Sequence, residues 1–225
     1  MKPILSLLTI LVPLLFFSCK GKTGAESTSV DALANSPASG TAYQIDAARS
    51  ELKWLGSKPT GTHYGIVPIS GGTIYLQGDL LTGGTVEINM AQLQVQGMEG
   101  EYKENLESHL RGTRPGKEND FFNVNQYPKA TYVIKSSSKI ENDPSATHLV
   151  EGELTIKDIT KPLAIRAKVD LAAGDAIKVT TMPFMIDRTQ WDIRFMSKKF
   201  FDDLKDDFVD DEIQIEIIVG ALKNG

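Results

Sequence analysis

From Leu149 to Leu171 apolar and polar side chains take turns along the chain. Val150, Leu154 and Ile156 stand against Glu151, Glu153, Thr155 and Lys157, and Leu163, Ile165, Val169 and Leu171 stand against Arg166, Lys168 and Asp170. A period of two places each set on its own face of a strand. Asp158 to Pro162 lies between the arms with turn chemistry, and Pro162 fits a strand start, where a missing N–H does little harm. The stretch predicts a β-hairpin with one wet face and one apolar face.

The same alternation recurs through most of the chain. Tyr43–Asp46 predicts a short edge strand and Glu51–Leu55 a second, while Gly65 and Pro68 suggest a bend within Thr62–Ile69. Thr73–Leu80 and Thr85–Met90 form a pair joined by a turn at Leu81–Gly84, with Val86, Ile88 and Met90 on one parity. Strand signals return at Ala130–Ile140, at Ala176–Ile186 and at Asp211–Leu222, where Ile213, Ile215, Ile217 and Val219 alternate with Gln214 and Glu216. Two segments break the pattern. Tyr102, Leu106, His109 and Leu110 recur at helical spacing within Gly100–Gly112, and Lys198–Phe208 predicts a second short helix. About eight consecutive strands favour an antiparallel all-β sheet, closed as a barrel or folded as a two-sheet sandwich. Either leaves an apolar face to be covered by protein, partner or ligand.

Composition narrows the functional classes. The 225 residues are 41% hydrophobic and 24% charged, which suits a globular chain, with one domain the simpler division. A formal net charge of -5 with scattered lysines argues against nucleic acid or anionic headgroups as the main partner.

The N-terminus has its own chemistry. Lys2 precedes an apolar run from Ile4 to Phe17, at about 14 positions short of the roughly 20 that a spanning helix needs, so 1–18 reads as a cleaved export signal. Ser18 before Cys19 resembles a bacterial lipobox, and Cys19 is the only cysteine, so no disulfide framework competes for it. Cys19 is expected to carry the lipid anchor, which makes the mature protein membrane-anchored without spanning. Secretion with a free thiol and an uncleaved anchor are the alternatives. Residues 19–41 are rich in Ser, Gly, Ala and Thr and read as a flexible tether that holds the domain, 42–225, roughly 25 Å from a bilayer.

Several segments together resemble one family. YQID at Tyr43, LKWLGSK at Leu52, GTHYG at Gly61, HLRG at His109, DFFNVNQYPKATY at Asp120, GELTIKDITKPL at Gly152 and IDRTQWDIRF at Ile186 occur in the order and rough spacing of the YceI-like family. The resemblance covers the domain from Tyr43 to about Lys223. It implies an extended eight-stranded antiparallel, lipocalin-like β-barrel with one or two short helices, binding a long polyisoprenoid chain, an isoprenoid quinone among the candidates, in an apolar lumen. It also implies a periplasmic or secreted setting, and several members are dimers. The tether and lipobox depart from the simplest members, as does the longer loop Gly112–Asn119, which would reshape one rim of the pocket.

Parity and resemblance together nominate lining residues: Trp54, Val86, Ile88, Met90, Phe121, Phe122, Tyr132, Ile134, Leu154, Ile156, Ile165, Val169, Met182, Phe184, Ile186 and Trp191. Each alone is equally read as plain core. Burying a five-carbon prenyl unit at about 0.8 kcal/mol per CH₂ could contribute roughly 3–4 kcal/mol, so a few units reach micromolar affinity without any catalytic group. Arg188 could meet a polar head or phosphate bidentately, or pair with Asp187, Asp192 or a rim carboxylate. His63 and His109 fall in matched segments near a barrel mouth and are tentative head-group contacts, while His148 lies in an expected loop. No pair of histidines has metal-ligand spacing, and the acidic run Asp202–Asp211 lacks ordered calcium-loop spacing, so neither a metal nor a cofactor is expected. GxSxG, P-loop and nucleophilic cysteine signatures are missing, which leaves a non-enzymatic lipid carrier as the leading expectation. A stress-related envelope module using the barrel as scaffold, and an enzyme built on His63 and His109, are the alternatives.

Overall fold

The computed structural model describes residues 39–172 and 175–224; the export signal, Cys19 and nearly all of the tether fall outside them. Ten strands follow in chain order, β1 Thr41–Lys58, β2 Gly61–Gln77, β3 Leu80–Asn89, β4 Gln94–Gln96, β5 Lys129–Lys139, β6 His148–Ile156, β7 Ile159–Ala172, β8 Ala176–Thr181, β9 Phe184–Asp187 and β10 Glu212–Lys223. Each long strand pairs antiparallel with its neighbour in the order β1-β10-β8-β7-β6-β5-β3-β2, and β1 also pairs β2, so the sheet closes on itself. The result is an eight-stranded antiparallel barrel, not a sandwich. Short β4 pairs β2 beyond the end of β3, and β9 pairs β10 beyond the end of β8. Closure removes the exposed edges that an open sheet of this length would present.

Period-two patterning decides which side chains point inward. In β6, His148, Val150, Gly152, Leu154 and Ile156 are buried and the residues between them are not. The β6–β7 turn is tighter than the sequence suggests. Lys157 and Asp158 both take positive φ, of 49° and 59°, and connect Ile156 directly to Ile159. Pro162 therefore lies inside β7, opposite Glu153, and not in the turn. The β2–β3 turn likewise sits at Gly78-Asp79, and Leu81, expected in a turn, is 1% exposed in β3.

Other expected breaks are absorbed into long strands. β1 is one strand with a bulge in which Ser50 Oγ donates to the Asp46 carbonyl at 2.7 Å and accepts from Gly220 N–H at 3.0 Å. Gly65 and Pro68 lie in regular pairing with Trp54 and Glu51, and β2 shifts register against β3 between Ile69 and Gly71 instead. A Cβ on Gly72 would stand 1.9 Å from the Thr85 carbonyl oxygen, so this close approach requires glycine. At Lys198–Phe208 the chain forms turns and no helix. Asp203 and Lys205, at φ of 63° and 48°, are left-handed, which a continuing helix excludes.

Among the described residues α1, Gly100–Arg111, is the one α-helix. It ends on Gly112 at φ 69°, whose N–H reaches the His109 carbonyl. Glu107 accepts from Val95 N–H at 2.8 Å, and Arg111 Nε donates to the Leu93 carbonyl at 2.9 Å, pinning the helix to the strand-β4 end of the barrel.

Candidate functional site

Three segments meet over that end of the barrel. Beyond α1, the 112–128 loop folds back along the helix terminus, with Phe122 N–H donating to the Leu110 carbonyl and Val124 N–H to that of Arg111. The 188–211 loop lies across the tips of β1 and β2, where Asp210 N–H donates to the Ser57 carbonyl at 2.9 Å. Aromatic packing stitches the two loops together. His109 stands edge-on to Phe121 and Phe195, with centroids 5.1 and 4.7 Å away, and its Nε2 meets Asp120 Oδ2 at 2.8 Å.

Beneath these loops the barrel is hollow. A cavity of about 320 Å³ runs inward from the mouth, at the lower end of the range for small-molecule sites. Eleven nominated residues line it: Trp54, Ile88, Met90, Phe121, Phe122, Tyr132, Leu154, Ile156, Ile165, Phe184 and Ile186. Val86 and Ile134 line a second, deeper cavity of about 40 Å³. Three nominations do not line either. Val169 packs on the core further along β7, away from the mouth. Trp191 is core, 2% exposed, with its indole N–H on the Leu154 carbonyl at 3.2 Å. Met182 fails because alternation itself breaks. Thr181 and Phe184 both point inward, so a parity carried through Met182-Pro183 misplaces one side of the join.

The polar nominations separate. Arg188 is 1% exposed, donating to the carbonyls of Asp210, Ile193 and Val209 at 3.0, 2.8 and 2.9 Å, with Asp211 Oδ1 3.3 Å away. Burial lowers its pKa, and Asp211, Asp187 and Asp210 oppose that. It borders the cavity, but its bonds hold the 188–211 loop, and of the pairings the sequence left open, Asp187, Asp192 or a rim carboxylate, the carboxylate beside it is the third kind, Asp211. Asp187 instead caps the following turn through Thr189 and pairs with Lys199 at 2.6 Å. His63 and His109 both line the cavity. Burial, and then Lys58, lower the His63 pKa, so its neutral form is favoured. His148 begins β6 and is 3% exposed, where a loop position is expected from sequence; its Nδ1 meets Thr147 Oγ1 at 2.8 Å.

Two wall atoms have no protein partner among the described residues: Trp54 Nε1 and His63 Nδ1. A Trp N–H can only donate, so Trp54 is left with an unpaired donor. Charged groups, Lys58, Asp207 and Asp210, gather at the rim. The arrangement fits an apolar chain below and a polar end above.

Sequence comparison now places the chain. Residues 43–221 match the YceI-like domain. The chain belongs to the YceI-like family. Among solved structures, the YceI-like chain is similar to BcnA of Burkholderia cenocepacia, with TM-score 0.60 and 19% identity over 79% of this chain and 99% of that one. It is also similar to a polyisoprenoid binding domain from Saccharophagus degradans implicated in plant cell wall breakdown, with TM-score 0.57 and 12% identity over 82% and 99%. A Campylobacter jejuni YceI protein follows at TM-score 0.50 and 20% identity, over 68% and 81%. At these identities the likeness shows a shared fold. No curated protein matches the chain.

The sequence reading left the cover of this cavity largely unassigned. Phe195, Met196, Phe208 and Val209 form one side of the mouth, and Leu106 and Leu110 another. The helical spacing of the leucines was a usable signal. The loop side chains carry no period, so nothing in the sequence pattern points them inward. Ile213, Ile215 and Ile217 were visible as an alternating strand and line the cavity as such a strand should.

Proposed function

We propose that this protein binds a polyisoprenoid or similar long-chain amphiphile in the barrel lumen, as a carrier or store in the cell envelope. The observation that carries the reading is the 320 Å³ apolar cavity, open at a mouth that bears the polar groups. The fold shared with a polyisoprenoid binding domain supports it. Apolar walls reward a chain in proportion to buried area, at roughly 25 cal/mol per Å², without requiring directional contacts. His63 and the charged groups at the rim supply direction at the polar end. The envelope setting rests on the Ile4–Phe17 run and on Ser18-Cys19, with Cys19 acylated. Among the described residues no helix is long and apolar enough to cross a membrane.

Organic extraction of protein purified from the organism that encodes it, followed by mass spectrometry, is expected to release a long apolar molecule in stoichiometric amount. Protein that extracts clean and binds no chain in solution would leave the barrel as a scaffold. Labelling with a radioactive fatty acid tests the anchor, which Cys19→Ala is expected to abolish.

A further inference from the structure

The large and small cavities are separate but share three wall residues, Tyr132, Ile165 and Ile217. These side chains form a partition across the lumen. Tyr132 is its fixed member. The hydroxyl donates to the Leu163 carbonyl at 2.9 Å, with the Val150 carbonyl at 3.2 Å, tying the ring to backbone on β6 and β7. Gly152 makes room for it, since a Cβ there would stand 2.6 Å from Tyr132 Cζ. Held by hydroxyl and ring face, the side chain is 4% exposed and cannot swing aside without breaking the hydrogen bond of its hydroxyl. Burial, and then Glu151, raise the pKa of the phenol, so it stays a neutral donor.

Beyond the partition lies too little space for another chain segment. A cavity of roughly 150 Å³ accommodates six-carbon benzene, so about 40 Å³ cannot take a five-carbon prenyl unit. We infer that Tyr132, braced by Ile165 and Ile217, is the floor of the chain compartment and sets the longest apolar chain that the closed barrel accepts. The inference rests on the lipid-binding reading above and adds a residue that determines chain length. Deleting the ring would join the two cavities and add a space of about benzene size, room for one more prenyl unit.

Displacement of a bound fluorescent dye by straight prenyl alcohols of two to six units tests this. In the unaltered protein, affinity is expected to climb with each unit and then level off. In Tyr132→Ala the levelling is expected one unit later, with the first over-long alcohol bound at least about tenfold tighter than by the unaltered protein. Tyr132→Phe keeps the ring and is expected to keep the original limit. Val179→Phe lines only the small cavity, so in the Tyr132→Ala background it is expected to restore that limit. Should Tyr132→Ala fail to fold, Tyr132→Leu removes the ring with less loss of packing. A folded alanine or leucine variant with an unchanged limit overturns the floor and leaves lipid binding standing. Failure of every alcohol to bind the unaltered protein overturns both.

Discussion

Arg188 offers the sharpest test of how the mouth is built. Its guanidinium donates to three backbone carbonyls, of Asp210, Ile193 and Val209, and lies 3.3 Å from Asp211 Oδ1. Those carbonyls belong to the 188–211 loop, whose Phe195, Met196 and Phe208 wall the cavity. Arg188→Met keeps the apolar stem and deletes every donor. A bond to a charged group is worth about 1.5–3 kcal/mol, and the desolvation that buried Arg188 endures offsets part of the sum. Breaking a buried pair by removing one partner typically costs about 3–5 kcal/mol, so that range is expected here.

The loss can appear in two places, and the structure says which comes first. Strand pairing around the barrel does not involve Arg188, so the loop can open while the barrel stays folded. Opening made 3 kcal/mol easier is about 150-fold more frequent, since each 1.4 kcal/mol is tenfold. Native-state proteolysis is expected to cut between residues 194 and 211 at a rate raised by about two orders of magnitude, with a smaller shift in the urea midpoint followed by circular dichroism. Arg188→Lys supplies a point charge without the fork and is expected to recover only part of the protection. A loop in Arg188→Met cut no faster than in the unaltered protein, with an unmoved midpoint, would refute this account of the mouth.

Other expectations follow from single contacts. Gly152→Ala places a Cβ 2.5 Å from the Val133 carbonyl oxygen and 2.6 Å from Tyr132 Cζ, so overpacking should lower stability by about 1–3 kcal/mol in chemical denaturation. Asp158→Gly, at φ 59° in the β6–β7 turn, relieves a left-handed conformation and should raise stability by up to about 1 kcal/mol in the same assay. Burial lowers the pKa of both His63 and His148, so the unfolded chain takes up protons first as pH falls through 6.5. The stability these histidines contribute is complete above that value and is lost below it. The urea midpoint should therefore drop from pH 7 to pH 5, above the range where carboxylates titrate, and His148→Gln should flatten the drop; a midpoint independent of pH across that window refutes it.

What the sequence shows and hides divides along physical lines. Period-two alternation is local, so β3, β6, β7 and β10 were legible as strands and their inward sets followed from parity. Turn chemistry misled where glycine and proline serve packing. Gly84 lies inside β3 because a Cβ there would stand 2.4 Å from the Thr73 carbonyl oxygen, which makes it look like a turn residue when it marks a close approach. Pro162 pairs within β7, and Met182-Pro183 shifts the parity between β8 and β9 by one. The family resemblance implied the barrel and its lumen. Neither resemblance nor parity could show that Arg188 spends its donors on loop carbonyls, because Asp210, Ile193 and Val209 reach it only through the path of the folded loop.

Alternation alone also cannot tell a hollow barrel from a solid one, because both bury the same parity. Volume decides, and volume depends on the small residues among the large. Ala130 lines the cavity between β3 and β6 neighbours that are much bulkier, and Gly56 lines it at the rim. Ala130→Leu adds three carbons to a 2% exposed inward position. In a close-packed interior that overfilling costs about 1–3 kcal/mol. With open space in front of it, the added side chain buries about 2 kcal/mol of new apolar surface at roughly 0.8 kcal/mol per carbon, so stability should hold or rise. The same substitution should weaken binding of any chain that reaches past Ile88, because it occupies the chain's space. Stability gained and ligand lost together is the signature of a compartment, and a loss of stability from Ala130→Leu would mean that the lumen is already full.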